Sequence, residues 1–364
     1  MFKGMQTICQ DNKLMSKFIL HHVRYAGMIP LVLFVAAFFC SCEPFLDYEG
    51  DCHIVYKVKF KYTMNILEAD AFPSKVKSVS LFIFDHKTQK FVDVITESGS
   101  VLAEENYAMT LQLKEGTYDF IAWCGLEGNE NFALDNGNTP QTKEDLICRL
   151  YPKSRADALS ETSLAPLWHG QVDAVTIPKE EAYANKEKIV ATIDLTKDTN
   201  TIRVVLQHYK GKELIPEDYE FFITDDNGIL NWDNELLPCD NIIYREWSKE
   251  SAEVSMPDED MGSADRTAVS SLLAELDVAR LVKEGHRPIL TVTRQNAEKP
   301  VLRLPLIDLL LVAKGDARHD MGDQEYLDRQ DEYNIIFFLD DDGWYINGGI
   351  WINSWHIRDF SFTM

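Results

Sequence analysis

Five carboxylates surround one basic residue between positions 323 and 333: Asp323, Glu325, Asp328, Asp331 and Glu332 around Arg329. Paired carboxylates can act as general acid and base, but nothing in the sequence makes two of these face each other. A solvated acidic loop in which Arg329 pairs locally is the expectation. His169, between Trp168 and Gly170, has no nucleophile motif near it and reads as a structural histidine. Asp225-Asp-Asn-Gly-Ile-Leu-Asn-Trp-Asp233 has the composition of a calcium loop without its alternating spacing or a Glu at the twelfth position. It reads as a hairpin turn, as does Asp340-Asp-Asp-Gly343. The chain has no G-x-S-x-G, H-E-x-x-H, P-loop or Gly-rich phosphate cradle. A protein that is not an enzyme, with no cofactor and no metal, is therefore expected.

Cysteine chemistry points elsewhere. Leu31-Val-Leu-Phe-Val-Ala-Ala-Phe-Phe-Cys40 is an apolar run of ten residues, about half of what spans a bilayer as a helix. Lys13, Lys17 and Arg24 precede it, and the whole describes a secretory leader. Phe39-Cys40-Ser41-Cys42 resembles a bacterial lipobox, which implies cleavage before Cys42 and lipid on its sulfur and new amino group. An ordinary leader with an accidental cysteine is the alternative, and Met15 is an alternative start to Met1. Two acyl chains hold a protein stably on a membrane where one does not. Residues 1–41 are thus read as a lipoprotein signal peptide and 42–52 as an acidic tether. Of the seven cysteines, Cys52, Cys124, Cys148 and Cys239 remain, and no C-x-x-C suggests zinc or redox chemistry. Cys124 lies on an apolar strand face and suits a buried free thiol, with a Cys124–Cys148 bridge as the other possibility.

Removing 41 of 364 residues leaves 323, enough for two domains. The leader sets Lys3, Lys13, Lys17 and Arg24 against Asp11, so its loss moves the net charge from −23 to −26. So acidic a surface repels phosphate backbones and excludes nucleic acid as a partner.

The elements that would position these residues are mostly strands. Ile54, Tyr56, Val58, Phe60 and Tyr62 alternate with Lys57, Lys59 and Lys61, the pattern of a half-buried strand. Val79-Ser-Leu-Phe-Ile-Phe-Asp85 is apolar on both faces, as a strand covered on both sides would be. Tyr107 to Leu113 and Tyr118 to Cys124 read as a hairpin turning at Lys114-Glu-Gly-Thr117, and Lys143 to Leu150 as a short helix. Leu272, Ala274, Leu276 and Val278 alternate, yet that segment also holds good helix formers, and Leu304 to Ala313 is too uniformly apolar to decide. Many short strands and few helices indicate an all-β protein of β-sandwich domains, divided near residue 197 into 53–196 and 197–364.

Four segments resemble the FimB-like anchor and accessory subunits of Bacteroidales-type (type V) fimbriae. They are Gly116-Thr-Tyr-Asp-Phe-Ile-Ala-Trp-Cys-Gly125, Leu167-Trp-His-Gly170 and Asp194-Leu-Thr-Lys-Asp-Thr-Asn-Thr-Ile-Arg-Val-Val-Leu-Gln-His208. The fourth is Asp323-Gln-Glu-Tyr-Leu-Asp-Arg-Gln-Asp-Glu-Tyr-Asn-Ile-Ile-Phe-Phe-Leu-Asp340, followed by Ile352-Asn-Ser-Trp355. The resemblance implies two transthyretin-like, Greek-key β-sandwich domains and a lipid anchor at Cys42 in the outer membrane. It also implies a place in a cell-surface fimbria, with a stalk subunit as partner. Subunits of such fimbriae join by strand exchange after an Arg-specific protease trims a stalk subunit's first strand. Here the first arginine after Cys42 is Arg149, so the segment from Cys42 to Tyr62 offers no such site. A basal anchor that keeps its first strand is expected, with the C-terminal segment as candidate donor strand through Ile350, Ile352, Phe360 and Phe362. A tip or adhesin subunit and a surface glycan-binding lipoprotein are the alternatives. The latter would use Trp344, Trp351 and Trp355, which otherwise fill the core; the sequence names no host ligand.

Overall fold

A computed structural model describes residues 54–151, 159–179, 187–255, 268–315, 320–341, 343–345, 349–353 and 355–357. Cys42, the leader and the tether lie outside the described residues, as do Phe360 and Phe362. Strand β1 (Val55–Lys61) follows its period of two: Tyr56, Val58 and Phe60, with Tyr62 just beyond, are at most 5 % exposed. It is the middle strand of a three-stranded sheet, parallel to β10 (Glu187–Asp194) and antiparallel to β4 (Met109–Leu111).

The facing sheet runs β11 (Thr196–Lys197), β9 (Trp168–Ile177), β5 (Gly116–Cys124), β2 (Ser78–Asp85), β3 (Phe91–Ser98). The unbroken apolar run of β2 has a structural cause. Val79, Leu81 and Ile83 enter one core with Val58 and Phe60, while Phe82 and Phe84 enter a second core on the opposite face. Strand β5 does the same with Phe120 and Ala122 against Ile121 and Trp123. This sheet is thus a wall shared by two cores.

The second core lies between two larger sheets. One is β16 (Ser248–Ser255), β17 (Ala268–Ala279), β12 (Thr199–His208), β20 (Glu332–Asp340), β22 (Ile350–Ile352), β23 (Trp355–Ile357), with β21 (Gly343–Trp344) paired to β20. The other is β19 (Leu302–Pro305), β18 (Ile289–Arg294), β13 (Tyr219–Asp225), β15 (Ile242–Arg245), β8 (Leu159–Ser160). A small sheet of β14 (Ile229–Leu230), β7 (Cys148–Leu150) and β6 (Phe132–Leu134) completes the set. Helices are short: α1 (Phe72–Lys75), α2 (Leu306–Val312) and α3 (Asp323–Arg329). The all-β sandwich expectation holds.

Several local expectations are corrected. The hairpin at Lys114-Glu-Gly-Thr117 does not form, because β4 pairs with β1 and β5 pairs with β2 and β9. Both edges of β5 are taken, so the turn carries the chain between the layers of the sandwich. Asp225-Asp-Asn-Gly228 likewise passes from one sheet to another, whereas Asp340 and Gly343 do close the expected β20–β21 pair. Lys143 to Leu150 gives one 3-10 turn, Lys143–Asp145, capped reciprocally by Thr142 and Asp145, before β7 begins. Residues 268–279 are strand, with Leu272, Ala274, Leu276 and Val278 buried, and the apolar run at 304–313 ends β19 and then forms α2.

Candidate functional site

The long segments singled out in the sequence come together. Strands β12 and β20 run parallel, Thr201 to His208 beside Glu332 to Leu339. Just before them, Lys197 Nζ lies 2.8 Å from Asp331 Oδ2, and the Tyr62 hydroxyl donates to the same oxygen at 3.3 Å. Arg203 on β12 joins Glu275 on β17 at 2.5 Å and Glu332 on β20 at 3.1 Å. The end of β1 is therefore tied to the start of β20 by side chains some 270 positions apart (|i−j| = 269).

The acidic segment 323–329 is helix α3, not a solvated loop. Tyr326 and Leu327 bury its inner face, Asp323 and Glu325 open its first turn and Arg329 closes its last, matching the helix dipole. Each of the five carboxylates has its own cation. Asp323 meets Lys283 and, at 2.7 Å, Lys314; Glu325 meets Arg329 at 2.9 Å; Asp328 meets Arg280 at 3.0 Å. Asp331 and Glu332 have Lys197 and Arg203. No two share a proton as an acid–base couple would. Arg329 pairs locally as expected, and it also donates to the Thr63 carbonyl at 3.0 Å, adding a second tie to the end of β1.

Asp198, Asn234 and Arg280 form a polar group that the local sequence does not mark. Asp198 is fully buried, accepts from Asn234 Nδ2 at 2.9 Å and lies 3.9 Å from Arg280. Burial pushes its carboxyl up to about 7, against the pull of Arg280 and Asn234. Arg280 stands 82 positions away in sequence, and no local pattern announces such a partner.

His169 on β9 is 4 % exposed, its Nε2 donates to the Trp232 carbonyl at 2.9 Å, and its ring packs edge-on against Trp123. Burial, opposed by that hydrogen bond and aided by the charge of Arg280, lowers its pKa to about 3. It is a neutral structural imidazole. Gly170 beside it meets β10: a Cβ there would lie 2.5 Å from the Asp194 carbonyl oxygen and 2.7 Å from Ile193 Cγ2. That close approach explains the glycine of Leu167-Trp-His-Gly170.

The Cys124–Cys148 bridge is not made. Both thiols are free and buried, Cys124 in the first core and Cys148 in the second, on opposite sides of the shared wall. Cys239 is free as well. Of the three terminal tryptophans, Trp355 alone is exposed, at 52 %; Trp351 stacks on His356, and Trp344 packs edge-on against Phe337. In the donor-strand candidate, Ile350 and Ile352 fill this protein's own core, with β22 paired to β20 and β23. Beside the Lys197–Asp331 pair opens a groove of about 400 Å³, lined among others by Tyr62, Trp168, Arg203, Trp247, Glu275 and Asp331.

A sequence profile described as "Mfa2: Fimbrillin-A associated anchor proteins Mfa1 and Mfa2" matches residues 48–360. The chain belongs to this anchor-protein family. The match takes in every segment that builds the Lys197–Asp331 junction. A candidate adhesin of Bacteroides thetaiotaomicron VPI-5482 is 32 % identical, with a TM-score of 0.71 over 84 % of this chain and 98 % of that one. A candidate polysaccharide-binding protein of the same organism is 30 % identical, with a TM-score of 0.69 over 85 % and 99 %. The fimbrial anchor protein Mfa2 of Porphyromonas gingivalis shares the fold, with a TM-score of 0.60 at 19 % identity over 85 % and 100 %. No curated protein sequence matches significantly.

Proposed function

We propose that this chain is a non-enzymatic structural subunit of a cell-surface fimbria, held in the outer membrane by lipid on Cys42 and placed at the fimbrial base. The observation that carries the basal reading is the hold on β1. One edge is paired with β10 along its whole length and the other with β4 over Tyr56–Val58, its inward side chains are buried, and its exit is tied through Tyr62 and Thr63 to Asp331 and Arg329. The first arginine beyond Cys42 is Arg149, which pairs with Asp135 at 2.8 Å on β7. A subunit whose first strand stays in place keeps its lipid and presents no vacant groove there. Its stalk partner would then be reached through the C-terminal segment by β-strand addition, in which main-chain hydrogen bonds supply affinity. Two transthyretin-like domains, 53–196 and 197–364, are part of this reading. N-terminal sequencing of the mature protein from cells tests it. A start at an acylated Cys42 is expected, and a start beyond residue 62 would overturn the basal assignment.

A second reading, a surface lipoprotein that binds glycan, is favoured by Trp247, 38 % exposed where it lines the junction groove among hydroxyl and charged groups. One solved relative is also named for polysaccharide binding. Retention of the wild type but not of Trp247→Ala on a polysaccharide column would favour it over the anchor.

A further inference from the structure

The geometry points to a divalent transition-metal site, of the zinc class, formed by Asp225, Asp226 and His286. One donor atom from each lies within 4.8 Å of the other two. Asp225 ends β13, Asp226 follows it, and His286 stands in the approach to β18, which pairs with β13 up to Thr224 and Ile289. Chain pairing thus delivers the imidazole to the two adjacent carboxylates.

The orientation of Asp225 argues for a ligand. The residue is 3 % exposed, its Oδ1 accepts from the Asp226 amide at 3.0 Å, and its Oδ2 is buried with no hydrogen-bond partner. An unsatisfied buried carboxylate oxygen is costly, and a cation between these side chains would satisfy it. His286 Nδ1 and Asp226 Oδ1 already share a proton at 2.7 Å. A metal ion would take the place of that proton, which is released to solvent as ligands deprotonate.

The backbone here is held firmly enough to keep such a site. Asn227 Oδ1 accepts from the Tyr244 hydroxyl at 2.6 Å, and its Nδ2 donates to the Ala279 and Arg280 carbonyls. Cys239 Sγ donates to the Asp226 carbonyl at 3.0 Å. The donor set selects the metal. Two carboxylates neutralise a divalent charge, and an imidazole nitrogen with carboxylate oxygens suits zinc with open positions left for water. Calcium asks for more oxygens than these side chains provide, and calcium and magnesium both favour oxygen over an imidazole nitrogen. Bound there, the ion would fasten the 281–288 loop to the end of β13.

The test uses the mature protein purified from cells, stripped with chelator and titrated with zinc chloride by calorimetry, with cobalt(II) absorption as a second readout. One zinc per chain is expected. Affinity should fall at least about tenfold in both His286→Gln and Asp226→Asn. Asp226 is 43 % exposed, and the asparagine oxygen can still accept from His286 Nδ1, so Asp226→Asn should melt as the stripped wild type does. No stoichiometric zinc, tighter binding of calcium than of zinc, or unchanged affinity in His286→Gln would overturn the site.

Discussion

Lys197 and Asp331 meet at 2.8 Å across 134 positions of sequence, and each stands at the entrance of one of two parallel neighbouring strands, β12 and β20. Because Tyr62 donates to the same carboxylate, one side chain couples the first described strand to the last long one. Burial, with Asp331 beside it, raises the Tyr62 pKa well above its usual value, so the hydroxyl stays a donor at any physiological pH. Asp331→Ala should cost about 1–3 kcal/mol, since it leaves a mostly buried ammonium and a buried hydroxyl unpaired. Tyr62→Phe should cost less, about 1 kcal/mol. Urea denaturation at neutral pH measures both, and a double-mutant cycle of Lys197 with Asp331 should return a favourable coupling.

The neutral state of His169 makes part of the stability depend on pH. Its folded pKa, about 3, lies below the ordinary value of 6.5, so the unfolded chain takes up a proton first as pH falls. The contribution is complete above the unfolded value and is lost progressively toward the folded one. Between about pH 6.5 and 4.5 the wild type should lose about 2 kcal/mol more than His169→Gln does. Parallel stability curves for the two proteins would refute the neutral, buried imidazole.

Gly170→Ala should destabilise the fold by about 1–3 kcal/mol, because the new methyl meets the Asp194 carbonyl oxygen, a backbone atom that cannot swing away, as well as the Ile193 side chain. Gly128→Ala, where nothing lies near, is the control: it carries only the strain of a positive φ of 72°. A larger loss at Gly128 than at Gly170 on thermal melting would contradict the close approach.

Truncation separates core from partner binding at the C-terminus. A chain ending at Gly349 lacks Ile350 and Ile352 and should lose cooperative melting, because both fill its own core. A chain ending at Ile357 keeps β22 and β23, and should melt as the full chain does while failing to co-purify with a stalk subunit. Undiminished capture by that second truncation would remove the donor role from residues 358–364.

How far the sequence could be read depended on how local the physics was. Alternation in Tyr56, Val58 and Phe60 and the double-sided run of β2 were legible because burial of side chains leaves a direct imprint on residue type. Pairing leaves almost none. Tyr107 to Leu113 and Tyr118 to Cys124 looked like two arms of a hairpin, yet alternation does not say which strand lies alongside, and they entered different sheets. Segment 323–329 looked like a solvated loop because its partners Arg280, Lys283 and Lys314 come from elsewhere in the chain. His286 lies 60 positions beyond Asp226, so the triad at the end of β13 had no spacing to announce it. The long segments 194–208 and 323–340 were recognisable as a family signature, and their structural reason is the polar junction they build together.

A fimbrial anchor role depends most directly on lipid at Cys42. Cells would be fed a clickable palmitate, wild type compared with Cys42→Ala, and intact cells shaved with protease. Label on the wild type, its loss in the variant, and removal of the protein from intact cells by the protease are expected. An unlabelled wild type, or label that survives Cys42→Ala, would contradict a lipid-held fimbrial anchor.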